Sequence, residues 1–122
     1  MNKYGQPHWC VLLFAALLLA LYFWGNSQPG AVGLVPAPWD KLAHLGWYAV
    51  LSGLLLVALG RRAWMWVLAG TLLLAGWDEW HQFALPGRQP GLDDWLADAL
   101  GVVTGIGISH VIGRRVWPVR RE

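Results

Sequence analysis

The chain has 122 residues, which suffices for one domain and leaves no room for a second core. Hydrophobic residues make up 57% of it, charged residues only 13%, and ten are Trp, so a water-soluble domain would lack the polar surface to cover its apolar segments. The expected class is an all-α membrane protein, a bundle of four transmembrane helices.

In chain order, the first expected span covers residues 9–24, near the short limit of the roughly 20 residues a crossing needs. It follows Lys3 and resembles a signal peptide, but no Ala-x-Ala-like site comes after Trp24, so it reads as an uncleaved span. The segment from Gly25 to Trp39 holds three Gly and three Pro and reads as an irregular loop. The second span is placed at 41–60, with Asp40 as its N-cap and Arg61-Arg62 as its stop. The third covers 63–83 and ends before the Pro86-Gly87 turn pair. The fourth covers 94–112, capped by Asp93 or Asp94, and a tail with Arg114, Arg115, Arg120 and Arg121 follows.

The net charge of +2 conceals a segregation of signs. With four spans, seven basic residues fall on the side of the termini, and two, Lys41 and Arg88, on the other. The positive-inside bias then puts both termini in the cytoplasm. Six of the seven carboxylates, all but Glu122, fall on the outer side. Trp24, Trp39, Trp77, Trp80 and Trp95 fall at outer span ends and Trp9, Trp64, Trp66 and Trp117 at inner ones, as interfacial belts require; Trp47 alone lies well inside a span. The pair Gly101-x-x-x-Gly105 is expected to form a close-packing face.

Polar residues at three span ends follow a helical period. Asp40 and His44 are four apart, with Tyr48 next on that stripe; Asp78 and Gln82 are four apart, and Glu79 and Gln82 three. Asp94 and Asp98 are four apart, with Gly101 next. Such stripes descend one turn, about 5.4 Å, from the outer surface. Lipid would reject them, so Asp40, His44, Asp78, Glu79, Gln82, Arg88, Asp94 and Asp98 are expected to line one outward-facing cavity.

An oxygen-rich cluster with one imidazole suits a divalent cation or proton transfer, because crowded carboxylates in an apolar setting cannot all stay ionised without compensation. Lys41 and Arg88 at the rim could hold a phosphate. Simpler readings stand beside these. Asp40 and Asp94 could be caps alone, Arg88 could pair with Asp93 or Asp94 at the surface, and the Arg tail could be a topology signal. His81 reads as interfacial, and His8 and His110 have no assigned role. Asp78-Glu79 near a helix C-terminus opposes the macrodipole, so capping does not explain them. Cys10 is the single cysteine, which excludes an intrachain disulfide, and no nucleic-acid module, phosphate loop or Cys/His metal motif is present.

Asp40-Lys41-x-x-His44 with Tyr48, Asp78-Glu79-x-x-Gln82, Pro86-Gly87-Arg88 and Asp94-x-x-x-Asp98-x-x-Gly101 stand in the order and spacing of the VanZ-like membrane proteins, which the chain resembles from about Asp40 to Gly105. Asp98 stands where Asn is equally expected and adds a carboxylate. The resemblance implies a small polytopic protein of the bacterial cytoplasmic membrane, in a family named for a member associated with low-level teicoplanin resistance, and it implies no settled mechanism. Together these readings select Asp40, His44, Asp78, Glu79, Asp94 and Asp98 as candidate catalytic residues, with Lys41, Tyr48, Gln82 and Arg88 binding the substrate. The expected partner is an envelope lipid or lipid-linked precursor, with a glycopeptide and a second copy of the chain as further possibilities and a divalent cation as the possible cofactor. A non-catalytic scaffold subunit and a proton-coupled carrier are the rival classes.

Overall fold

Four α-helices build the described part of the protein: α1 Trp9–Asn26, α2 Trp39–Leu59, α3 Trp64–Phe83 and α4 Leu92–Val116. The computed structural model describes residues 6–116, with side chains to residue 113. Lys3, Trp117, Arg120, Arg121 and Glu122 lie outside the described residues, as do the side chains of Arg114 and Arg115. Among the described residues there is no strand, and the all-α, four-helix expectation holds.

Helices α1, α2 and α4 (its residues 92–113) are long and apolar enough to cross a membrane. Helix α3 has comparable length, 20 residues, or about 30 Å. Its four Trp and its Asp78-Glu79-Trp80-His81-Gln82 end set it apart from those three.

The start of α2 departs from the sequence expectation. Asp40 is not the N-cap: the helix begins at Trp39, after Pro38, and Asp40 lies in its first turn. The segment Pro36-Ala37-Pro38 already forms that turn, with the Trp39 and Asp40 N–H groups donating to Pro36 O at 2.9 and 3.3 Å. A proline at a helix start has no N–H left unsatisfied, so it displaces the acidic cap. Helix α4 likewise begins at Leu92, which puts Asp93 and Asp94 inside its first turn, where they complement the positive dipole end. The Pro86-Gly87 turn forms as expected, closed by Arg88 N–H to Leu85 O at 3.2 Å, with Gly87 at φ +79° as a type II turn demands.

Side-chain and backbone pairs fix the helix directions. His8 N–H reaches Ala58 O at 2.9 Å while Tyr22 stacks on Trp47, so α1 and α2 are antiparallel. The α2–α4 pairs run in the same order on both helices: Lys41 with Asp94, His44 with Asp98, Leu45 with Gly101, Ala49 with Gly105 and Gly53 with Ser109. Those two helices are therefore parallel, as alternating up-and-down topology requires, and theirs is the most extensive helix contact. All the polar stripes meet at one end of the bundle.

The Gly101-x-x-x-Gly105 face makes that contact possible. A Cβ on Gly101 would lie 2.3 Å from Leu45 O, and one on Gly105 would lie 2.1 Å from Ala49 O. Hydroxyls along the same seam satisfy backbone acceptors, with Ser52 Oγ donating to Val102 O at 3.1 Å and Ser109 Oγ to Gly53 O at 3.3 Å. The buried apolar core is small and central, with Leu51, Leu56, Val67, Val102 and Ile106 among its members. Leu13, Leu17, Leu21, Leu73 and Val103 point outward instead, which only an apolar surrounding accommodates. Exposed Trp rings form two belts, Trp24, Trp39, Trp77 and Trp80 at the polar end and Trp9, Trp64 and Trp66 at the other.

Gly105→Ala is expected to lower the stability of the detergent-solubilised protein by about 2–3 kcal/mol, because the added methyl meets backbone that cannot give. Gly107 lies two residues on, with nothing within 4 Å of its Cβ position. Gly107→Ala is expected to leave stability unchanged or raise it by up to about 1 kcal/mol. Thermal melts followed by Trp fluorescence separate the two; equal effects would contradict the seam.

Candidate functional site

The polar end of the bundle divides into a rim, an interior and a cavity. At the rim, Lys41 Nζ binds three carboxylates: Asp93 at 2.8 Å, Asp40 at 3.4 Å, and Asp94 in the tightest contact of the three. Lys41 is the first turn of α2 reaching across to the first turn of α4. A phosphate would have to displace these carboxylates, so Lys41 is a cross-helix clamp and not the free cation that its sequence position suggests.

One turn deeper, His44 Nδ1 pairs with Asp98 Oδ1 at 2.8 Å. Asp98 and Asp78 are both 0% exposed. Glu79, on α3, accepts a hydrogen bond from Gly91 N–H at 3.0 Å through Oε2, which ties α3 to the start of α4. Asp78 accepts from Tyr22 Oη–H at 2.7 Å through Oδ2, which ties α3 to α1. Tyr22 is held in place by its ring, stacked on Trp47 with centroids 4.5 Å apart and planes 2° from parallel. Tyr48 is fully buried, with its ring edge-on to Tyr22 at 6.5 Å. Each buried carboxylate thus binds a different helix to α3 or α4, and the interior network spans all four helices.

The cavity has a volume of about 380 Å³ and lies between α1, α2, α3 and the α1–α2 loop. Its apolar wall comes from Leu21, Ala31, Leu34, Val35 and Ala43, its polar wall from Tyr22, Asp40, His44, Gln82 and Arg88. Arg88 enters from the α3–α4 loop and donates through Nη2 to Asn26 O at 2.9 Å, at the C-terminal end of α1. A cation there suits the negative end of the α1 dipole.

The residues expected to share one cavity fall into two adjoining sets. Asp40, His44, Gln82 and Arg88 border it; Asp78, Glu79 and Asp98 are not among its lining residues, and Asp94 is engaged by Lys41 at the α2–α4 seam. His44 belongs to both the cavity wall and the interior cluster. Arg88 does not pair with Asp93 or Asp94, since Lys41 occupies both. His81 packs edge-on to Phe23 at 6.0 Å and joins no carboxylate pair. Tyr22 was missed at the sequence level. Its signal was present, because a Tyr within an apolar span needs a hydrogen-bond partner in the bundle.

Three donors could hold a metal ion: a His44 ring nitrogen and one oxygen each of Glu79 and Asp98, all within 4.8 Å of one another. Compared with known proteins, residues 10–113 match the family model described as VanZ/LLP1. No curated protein and no solved structure matches the chain.

Tyr22→Phe removes the donor to Asp78 while keeping the ring stack, and is expected to cost about 1–3 kcal/mol, the penalty of a buried acceptor left unpaired. In an Asp78→Leu background the same change is expected to cost far less. A double-mutant cycle by thermal melting in detergent checks this, and additive effects would show that the pair is not coupled.

Proposed function

This chain belongs to the VanZ/LLP1 family, and from that premise we propose that it recognises the polar head of an envelope lipid or lipid-linked precursor at the outer face of the bacterial cytoplasmic membrane. The observation that carries this reading is the two-sided cavity. A volume of about 380 Å³ falls in the range of small-molecule sites, and its walls divide into an apolar side and a side with Asp40, His44, Gln82 and Arg88. A ligand with an apolar stem and a charged, hydroxylated head matches both sides at once. A cavity at the level of an exposed Trp belt is open to molecules already resident in the membrane interface.

Arg88 is the group for an anionic oxygen of that head, since its fork matches phosphate or carboxylate. Asp40 and Gln82 supply acceptors for hydroxyl or amine hydrogens. His44, held by Asp98, is the group placed to move a proton if the head is also modified. A glycopeptide antibiotic is far larger than a cavity of about 380 Å³, so a link to teicoplanin resistance would run through the envelope lipid and not through the drug.

The orientation follows from the charge asymmetry of seven basic residues to two, with α3 as the fourth crossing and both termini in the cytoplasm. In a Cys10→Ala background, a membrane-impermeant thiol reagent is expected to label Gln89→Cys and not Arg62→Cys in intact cells with a permeable outer barrier. The reverse pattern would overturn the orientation and with it the outer-face site.

Binding is tested with purified protein in nanodiscs and short-chain phosphatidic acid or a polyprenyl phosphate as probe. Saturable binding is expected, weakened at least about tenfold by Arg88→Gln through loss of a charge-assisted contact. Ala43→Phe fills the cavity without touching the polar network and is expected to do the same. Unchanged affinity in both variants would refute the lipid-head reading.

A further inference from the structure

We propose that His44, Glu79 and Asp98 bind a single divalent first-row metal ion, Zn²⁺ or Mn²⁺, where α2, α3 and α4 meet. One atom from each residue lies within 4.8 Å of the other two. Ligands sharing an ion at about 2.1 Å stand roughly 3.4 Å apart in tetrahedral geometry and up to about 4.2 Å apart when opposed. Side-chain adjustment therefore closes the site without moving a helix.

The same carboxylates keep unused acceptors in the interior. Asp98 is 0% and Glu79 9% exposed, yet Asp98 Oδ2 and Glu79 Oε1 have no hydrogen-bond partner. Asp78, equally buried, leaves Oδ1 unpaired. Among the described residues no Lys or Arg nitrogen forms an ion pair with any of these three acids; Lys41 is bound by Asp40, Asp93 and Asp94. Three buried carboxylates against one imidazole leave an uncompensated negative charge that a low dielectric penalises heavily. A divalent cation supplies the compensation and gives the carboxylates of Glu79 and Asp98 a partner for their idle acceptors.

The donor set selects the ion. Ca²⁺ needs six to eight oxygens and Mg²⁺ prefers oxygens and retained water, whereas an imidazole nitrogen beside two carboxylates suits Zn²⁺ and Mn²⁺. Three protein ligands leave positions open for water or for an oxygen arriving from the cavity that His44 also borders. Metal binding here does not require the cavity's ligand to be a lipid.

The test uses full-length protein stripped with chelator in detergent, dialysed against Zn²⁺ or Mn²⁺ and assayed by elemental analysis and thermal melting. One ion per chain is expected, with a melting point that climbs with metal concentration as mass action requires. Glu79→Gln and Asp98→Asn are expected to weaken affinity at least about tenfold, and Asp93→Asn, on the exposed rim, to leave it unchanged. As a readout independent of those variants, the visible spectrum of Co²⁺-loaded wild type is expected to show mixed nitrogen–oxygen coordination. Failure to retain an ion, equal affinity in Glu79→Gln, or a loss confined to Asp93→Asn would each overturn the site. So would a melting point that ignores metal in the wild type but rises in metal-free Glu79→Gln, which would mean that the acids share protons instead.

Discussion

The contact of α2 with α4 at Gly101 and Gly105 is the constraint on which the site depends. With main chain against main chain at Leu45 O and Ala49 O, no side chain separates the helices and no sliding is possible without a clash. That fixed register places Lys41 opposite Asp94 and His44 opposite Asp98. A shift of one residue would turn the acid of each pair through about 100° around its helix and away from its partner. The polar chemistry is thus set by a packing rule that involves no polar side chain.

From that seam the rest of the bundle is tied on by hydrogen bonds more than by apolar burial. The protein's large apolar side chains mostly point outward, and the buried apolar core is limited to a few residues at mid-bundle. In an apolar surrounding, outward Leu and Val gain nothing from turning inward, so they give little force for helix association. Helix α1, in which Ala15 alone is buried, is held by Tyr22 on Asp78, by Arg88 on its terminal carbonyl, and by the stack on Trp47. Removing one of these would loosen α1 from the bundle while leaving the α2–α4 pair intact. The cavity lies between α1 and that pair, so its shape depends on the same few bonds.

Much of this was legible in the sequence because its determinants are local. Apolar runs long enough to be helices, a Pro-Gly turn that takes positive φ at Gly87, and carboxylates spaced one turn apart each carry their structural meaning within a few residues. Partner choice was not legible. Lys41 reads as a free rim cation until α4 arrives with Asp93 and Asp94, and Tyr22 reads as part of an aromatic span end until α3 presents Asp78. The helix starts failed for a different reason: two local signals competed. Asp is a good N-cap, but Pro36-Ala37-Pro38 forms the first turn of α2 before Asp40 is reached, and the acid is then free to serve the site.

The resulting charge layout is not uniform, and its asymmetry bears on what can enter. Lys41 is neutralised by the rim acids, whereas Arg88 faces a neutral carbonyl and keeps its full charge. Among the described residues Arg88 has no ion-pair partner, so the cavity has a cation on the loop side, with Asp40 and the His44–Asp98 pair on the α2 side. An anion alone would be drawn to Arg88 and repelled by Asp40 across the same space. A neutral molecule would cover the Arg88 guanidinium while leaving it only the Asn26 carbonyl as partner, a costly burial of charge. A head that carries an anionic oxygen at one end and hydrogen-bond donors at the other satisfies both walls, with its apolar stem left for Leu21, Leu34 and Val35. For the lipid head proposed above, the fit would rest on the separation of unlike groups along the molecule, a property that neither wall could select by itself.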